Sequence, residues 1–350
     1  MTLYVKNKKS PMIFPRPLYP GAGVGLIAPS SPVTGAETAL CVRRLQEMGY
    51  HVLVGRSLKR SEQQYGYLAG SARARAGDIN QMFEDSRVSA IFCVRGGYGS
   101  SQTLEYLDYG MIRQNPKIFV GYSDVTSLHS ALGRYGNLVT FHGPMARPDL
   151  LPEMGKTESY TLQSFYGVCN MEKEYEFHNP VQMEGIGECP AKQPTKEVTE
   201  PRKRLSGNEK MYTLRSGCTR GRLTGGNLSV LARSLGTPFF PDTDDCILFL
   251  EDVGESIPRL HMYLTQMKCA GVLERVRGIL LGDFSDCTNK GYDESLQVEV
   301  FLQQWFGGLG IPVLANVYSD HRSPMGTLPL GAWCCMDAEE GRIVFSVLPG

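Results

Sequence analysis

No run of this chain approaches the roughly 20 consecutive apolar residues that a membrane-spanning helix needs. There is no excess of charge either: 36 Lys and Arg balance 36 Asp and Glu. A neutral chain has no electrostatic footprint for nucleic acid or an anionic membrane, so neither is expected as a partner. No Cys-x-x-Cys pair occurs among the ten cysteines. The ligand spacing of a zinc site is therefore missing, and no metal is expected. Cys93 and Cys246 fall in or beside apolar runs, so free, buried thiols in a reducing cytoplasm are the simplest account of the set. Lys6, Lys8 and Lys9 imitate the charged start of a signal peptide, but Pro11, Pro15, Pro17 and Pro20 break the stretch that follows. Residues 1–20 read as an extended lead-in, and the expected location is cytoplasmic.

What is present suits a globular protein of two domains: 350 residues, 42% apolar and 21% charged. The first half alternates strand and helix signals. Strands are expected at Gly23 to Ala28, His51 to Val54, Ala90 to Val94, Ile118 to Gly121 and Leu138 to Phe141. Helices are expected at Thr34 to Met48, Ser71 to Phe83, Ser100 to Leu107 and from Asp124 onward. That alternation implies an α/β fold with a mostly parallel sheet. Glu184 to Arg215 is proline-rich, charged and poor in apolar residues, as a linker or exposed excursion would be. Beyond it comes a second α/β region with more β character. Its helices are expected at Asn227 to Leu235, Ser256 to Lys268 and Gln297 to Trp305. Its strands are expected at Asp245 to Leu250 and Arg277 to Leu281, with a hairpin from Ala332 to Val347. The division is residues 1–183, 184–215 and 216–350.

The most informative stretch is Val-Gly-Tyr-Ser-Asp, Val120 to Asp124. It joins an apolar strand directly to a helix-compatible segment. Such a turn holds a serine hydroxyl at the positive end of a helix. Position 125 is Val, so the stretch departs from the Gly-x-Ser-x-Gly elbow. Ser123 reads either as a nucleophile or as an N-capping serine. A nucleophile needs a base, and the base needs an orienting carboxylate. His51 and His261 suit structural roles, and the spacing of His129 turns it away from Ser123. His142 ends a strand at the same sheet edge as Ser123; it either lines the pocket or satisfies a backbone carbonyl. His321, in the polar loop Ser319 to Pro324, is placed as a catalytic base often is. Glu251, read as directly following a buried strand, is a candidate orienter; Asp252 and Glu255 compete with it. Arg95-Gly-Gly-Tyr-Gly-Ser100 exposes backbone N–H groups that can hold an oxyanion or a phosphate. It is not Gly-x-Gly-x-x-Gly and there is no Walker lysine, so the oxyanion hole is favoured over a nucleotide.

Seven stretches taken in order resemble the LD-carboxypeptidase family of serine peptidases. They are Gly25-Leu-Ile-Ala-Pro-Ser-Ser-Pro32, Arg95 to Ser100, Gly121-Tyr-Ser-Asp-Val-Thr126, His142-Gly-Pro144, Leu223-Thr-Gly-Gly-Asn-Leu-Ser229, Leu250-Glu-Asp-Val-Gly-Glu255 and Thr327-Leu-Pro-Leu-Gly-Ala332. The resemblance implies a triad of Ser123, His321 and Glu251, with an oxyanion hole from the N–H groups of Asp124 and Gly97. It implies hydrolysis of the L,D-peptide bond before the terminal D-alanine of a murein tetrapeptide, without metal or cofactor. It also implies a flavodoxin-like N-terminal domain, a C-terminal domain on a β-barrel-like sheet, and a homodimer. Arg95 is a candidate for the substrate's carboxylate, with a structural salt bridge as its alternative role. Two features depart from the family. Asp320 precedes His321 where the family has Gly, an extra carboxylate that would raise the base's pKa or compete with Glu251. The polar stretch from Glu184 is long. A related branch is the microcin C immunity peptidase, which cleaves an acylated nucleotide mimic and stacks a base on a loop tryptophan. Trp305 and Trp333 both lie outside the middle stretch, which favours the carboxypeptidase. A non-catalytic module that binds an anion on the Arg95 to Ser100 turn is the alternative from another class.

Overall fold

Apolar runs bounded by turn residues become strands covered on both faces, and these runs build two sheets. The computed structural model describes residues 11–59, 66–151, 159–180 and 210–349. In chain order the strands are β1 (Gly23–Ile27), β2 (His51–Val54), β3 (Val88–Cys93), β4 (Ile118–Gly121), β5 (Thr140–His142), β6 (Glu174–Phe177) and β7 (Tyr212–Arg215). They continue with β8 (Cys218–Asn227), β9 (Cys246–Val253), β10 (Gly278–Ser285), β11 (Val313–Ala315), β12 (Leu328–Leu330), β13 (Trp333–Asp337) and β14 (Arg342–Ser346). The first sheet runs β2-β1-β3-β4-β5, all parallel, with β12 added antiparallel at its edge. The order 2-1-3-4-5 is the flavodoxin-like one, in which ligands meet loops at the carboxyl ends of the strands. All four residues of β4 are buried, as its unbroken apolar run requires.

The second sheet has the order β6-β14-β13-β8-β9-β10-β11-β7. Its centre, β8 to β11, is parallel, and its flanks are antiparallel. Strands β6 and β7 end the sheet and do not pair with each other, so the barrel-like expectation gives way to an open, mixed sheet. The two sheets exchange strands. The 174–177 segment edges the second sheet, and the 328–330 segment edges the first.

Local signals explain the helices. Thr34 caps the helix Gly35–Glu47 in a reciprocal capping box with Glu37, and Gly49, at φ 90°, follows its end. Ser100–Tyr106 is a 3-10 helix, entered through Gly99 at φ 103°. The helix expected from Asp124 opens as a 3-10 turn, Ser123–Val125, and becomes α-helical over Thr126–Gly136. Glu251 lies within β9 rather than after it, and is completely buried. Of the cysteines, Cys218, Cys269 and Cys335 are exposed, contrary to the expectation for the whole set; Cys189 and most of the 184–215 stretch lie outside the described residues. No helix among the described residues is long and apolar enough to cross a membrane.

The end of β8 lies against the helix that follows Ser123. Gly226 has φ +134°, and a Cβ there would come 2.6 Å from Thr126 Oγ1. Only glycine fits both the backbone and the gap. Gly226→Ala is expected to lower stability by about 2–4 kcal/mol, from strain plus overpacking. An unchanged urea midpoint for this variant would remove the constraint.

Candidate active site

Strand β4 ends at Gly121, Tyr122 is extended, and Ser123 then adopts φ 61°. A non-glycine residue in the left-handed region is strained, and such strain concentrates at functional sites. The turn feeds a helix, so Ser123 stands at that helix's positive end. Neither the 3-10 turn nor the α-helix has a side-chain cap hydrogen bond, so Ser123 is not the capping serine.

The glycine-rich turn after β3 comes directly against Ser123. A Cβ on Gly96 would lie 3.2 Å from Ser123 Oγ, so a side chain there would crowd the hydroxyl. Gly97, at φ +119°, is pressed on Ser31, and its N–H meets no acceptor among the described residues. Asp124 ties the parts together. Its Oδ2 accepts from Ser30 Oγ at 2.7 Å and from the Ser100 N–H at 2.8 Å. Arg75, fully buried, donates to the carbonyls of Pro29 (2.5 Å), Gly99 (2.7 Å) and Gly70 (3.1 Å), and to Gln102 Oε1 (2.8 Å). The loop after β1 and the turn after β3 are thereby held as one unit.

The second sheet brings the carboxylate and the imidazole. His321 Nδ1 and Glu251 Oε2 are 2.7 Å apart. The His321 ring meets the Tyr122 ring edge-on, centroids 5.0 Å apart, next to Ser123 in the chain. Asp320 does not compete. It is buried in a bidentate pair with the Arg322 guanidinium, 2.7 Å at Nη2, and accepts from the Asp283 N–H at 3.0 Å. The Asp252 carboxylate faces Asn227 Nδ2 (3.0 Å) and the Ser229 N–H (2.8 Å) instead of the histidine. Glu255 pairs with Arg259 at 3.2 Å.

The other candidates separate clearly. His129 is structural: its ring nitrogens meet Thr140 Oγ1 at 2.9 Å and the Gly121 carbonyl at 2.8 Å. His142 is buried between the rings of Phe249 (5.1 Å) and Tyr122 (5.8 Å), behind His321. Burial, with the nearby His129 and His321, holds it well below the usual histidine range. Arg95 is half-buried and forms no hydrogen bond or ion pair among the described residues. Burial and then the charge of Arg147 lower its pKa, while Tyr122 and Glu37 oppose this. Among the described residues no group of three His, Cys, Asp or Glu could hold a metal ion. Sequence reasoning passed over Arg75, Tyr122 and Asn227. Only Asn227 carried a signal, as the polar residue closing Leu-Thr-Gly-Gly-Asn at the start of a helix.

Residues 24–143 match the LD-carboxypeptidase N-terminal domain and residues 220–336 the LD-carboxypeptidase C-terminal domain. The chain belongs to the LD-carboxypeptidase family. It is 35% identical over 331 residues to the probable murein peptide carboxypeptidase of Bacillus subtilis, covering 94% of this chain and 93% of that one. It is 29% identical to the murein tetrapeptide carboxypeptidase of Pseudomonas aeruginosa, over 91% of this chain and 94% of that one. A structure of the microcin C7 self-immunity protein MccF superposes with a TM-score of 0.79 at 29% identity, covering 95% and 98% of the two chains. Four of the seven ordered stretches fall in the first matched domain, with Pro144 one residue past its end, and three in the second.

The buried histidines give a pH signature. Burial pushes His129 down to about 4 from 6.5, with the Gly121 carbonyl opposing. The unfolded chain binds this proton first, so the contribution is complete above pH 6.5 and is lost as pH falls toward 4. Its size is roughly 3 kcal/mol. Asp252, raised to about 6 by burial and by Glu251, acts in the opposite sense as pH rises from 3.8 to 6. The comparison of wild type with His129→Gln isolates the histidine. The variant is expected to lose stability less steeply between pH 6.5 and 4; parallel stability curves would show that His129 is not held neutral.

Proposed function

We propose that this chain is a serine carboxypeptidase that hydrolyses the L,D-peptide bond before a terminal D-alanine in a murein tetrapeptide. The 2.7 Å contact between His321 and Glu251, with the His321 ring edge-on to Tyr122 beside Ser123, is the observation that best supports a Ser–His–Glu triad. His321 takes the Ser123 proton as Oγ attacks the carbonyl carbon. Glu251, buried beside it, stabilises the imidazolium and fixes its orientation. The N–H groups of Asp124 and Gly97 receive the developing oxyanion. His321 then hands its proton to the departing D-alanine amine. Water, deprotonated by His321, attacks the acyl-enzyme, and Ser123 leaves with the proton returned. The serine comes from residues 1–183 and the other two from 216–350, so the chemistry depends on the packing of both halves.

The carboxylate of D-alanine needs a cation, and Arg95 is the proposed one. It follows β3 within two residues, near Tyr122, with donors not used among the described residues. The names of the Bacillus and Pseudomonas relatives support the murein substrate. Action in the cytoplasm on peptides from wall turnover, and a homodimeric state, belong to the same reading. The immunity-peptidase alternative has less support. Trp305 packs on Phe306, and Trp333 lies under Arg220 and Arg222.

The deciding assay measures free D-alanine after incubation with murein tetrapeptide. Wild type is expected to release it. Ser123→Ala is expected to lower kcat by about 10⁴-fold or more. Equal release by both proteins would sink the role of Ser123, and no release by wild type would favour the anion-binding module. Arg95→Met separates binding from chemistry. Loss of a charge-assisted pair predicts a KM raised about 10- to 100-fold with kcat little changed. A fall in kcat at constant KM would contradict the carboxylate assignment.

A further inference from the structure

The helix Thr126–Gly136 has a second end, and a polar cavity of about 480 Å³ lies there, against the second half of β8, Arg222 to Gly225. Its wall runs along β8 as far as Gly225 and includes neither Ser123, Glu251 nor His321. On the paired strands β8 and β9, Arg222 is opposite Cys246 at the cavity, and Asn227 is opposite Glu251. Five residues of strand, roughly 16 Å, separate the two. None of the triad chemistry uses it.

The cavity wall is supplied with unused donors. Asn137 is only 4% exposed, and its Nδ2 donates to no atom among the described residues. The buried Nε of Arg134 also lacks an acceptor there. Arg134 uses Nη1 on the Phe240 carbonyl at 2.5 Å, and Arg222 uses Nη1 on the Gly331 carbonyl at 3.1 Å. Neither guanidinium forms an ion pair among the described residues. Burial lowers the pKa of Arg222, with only the Cys246 thiol opposing it. Of the carboxylates on the wall, Asp244 pairs with Arg275 at 3.0 Å, and Asp242 has an interaction of its own. Buried donors without acceptors are costly in a folded protein unless something occupies them. Two guanidiniums and an amide converging on a space of this size suit the planar or tetrahedral oxygens of an anion.

We propose that this cavity is a second ligand site, which binds a small molecule through a phosphate or carboxylate group held by Arg134, Arg222 and Asn137. The test uses full-length protein carrying Arg95→Met, which removes the proposed anion contact at the active site. Thermal unfolding is followed at constant ionic strength against inorganic phosphate in one arm and succinate in the other. A saturable rise of about 2 °C is expected at ten times the dissociation constant. Asn137→Asp, which keeps the size and reverses the chemistry, is expected to abolish it; Arg222→Gln does the same by removing charge and serves if the first variant fails to fold. A rise with phosphate alone identifies a phosphate site, and with succinate alone a carboxylate site. No saturable rise in either arm, or one undiminished in every folded variant, overturns the proposal.

Discussion

The hydrogen bond from the Asn227 N–H to Thr126 Oγ1, 3.0 Å, is the join on which the site depends. Thr126 begins the α-helix that follows Ser123, and Asn227 ends β8 opposite Glu251. The contact therefore links the helix behind the hydroxyl to the strand paired with the one that carries Glu251. Gly226 lets the two backbones approach, and the Asn227 side chain reaches on to Asp252 at 3.0 Å. The second sheet is thus fixed to the first at the residues where their chemistry must meet. A small shift there would be felt directly in the proposed acyl transfer, which tolerates little misplacement of its reacting groups.

Around this join the protein buries many charges, and the pattern separates scaffold from site. Arg75 and Asp124 are both buried, and each is surrounded by partners. Asp320 and Arg322 neutralise one another. Such pairs cost much in desolvation and return it through hydrogen bonds, so they favour one geometry more than they favour stability. Glu251 differs. One of its oxygens meets His321 and the other, Oε1, has no partner among the described residues. The partner this carboxylate meets is thus the proposed base itself, not a scaffold group.

The parallel sheet was legible because apolar runs such as Ile118–Gly121 have one stable solution, burial on both faces. Ser123 and His321 stood out as residue types next to strands and Glu251 as a carboxylate closing an apolar run, and the family resemblance chose them as the triad proposed above. The join was harder to see. Asn227 and Thr126 are 101 positions apart, and no local pattern records that they touch. Arg75 lies in an expected helix with no local signal of enclosure, and only the folded loops show that it is fully buried. The short strands Glu174–Phe177 and Leu328–Leu330 were missed for the same reason. Each is an edge strand whose partner lies in the other half of the chain, so pairing rather than propensity makes it a strand.

Asp320 shows how a departure from the family pattern can be absorbed. Read from the sequence, a carboxylate next to the base threatens the triad. In the fold its direction matters more than its position. It turns to Arg322, two residues on, whose guanidinium also meets Asn316 Oδ1 at 2.9 Å and lies over the Tyr318 ring at 4.1 Å. The loop carrying His321 is thereby braced on both sides of the histidine. A glycine at this position would leave the Arg322 guanidinium without its closest anion, at a cost of several kcal/mol for a group this buried. The extra charge therefore belongs with Arg322 as a unit that holds the imidazole in place, and Glu251 keeps the Nδ1 contact for itself.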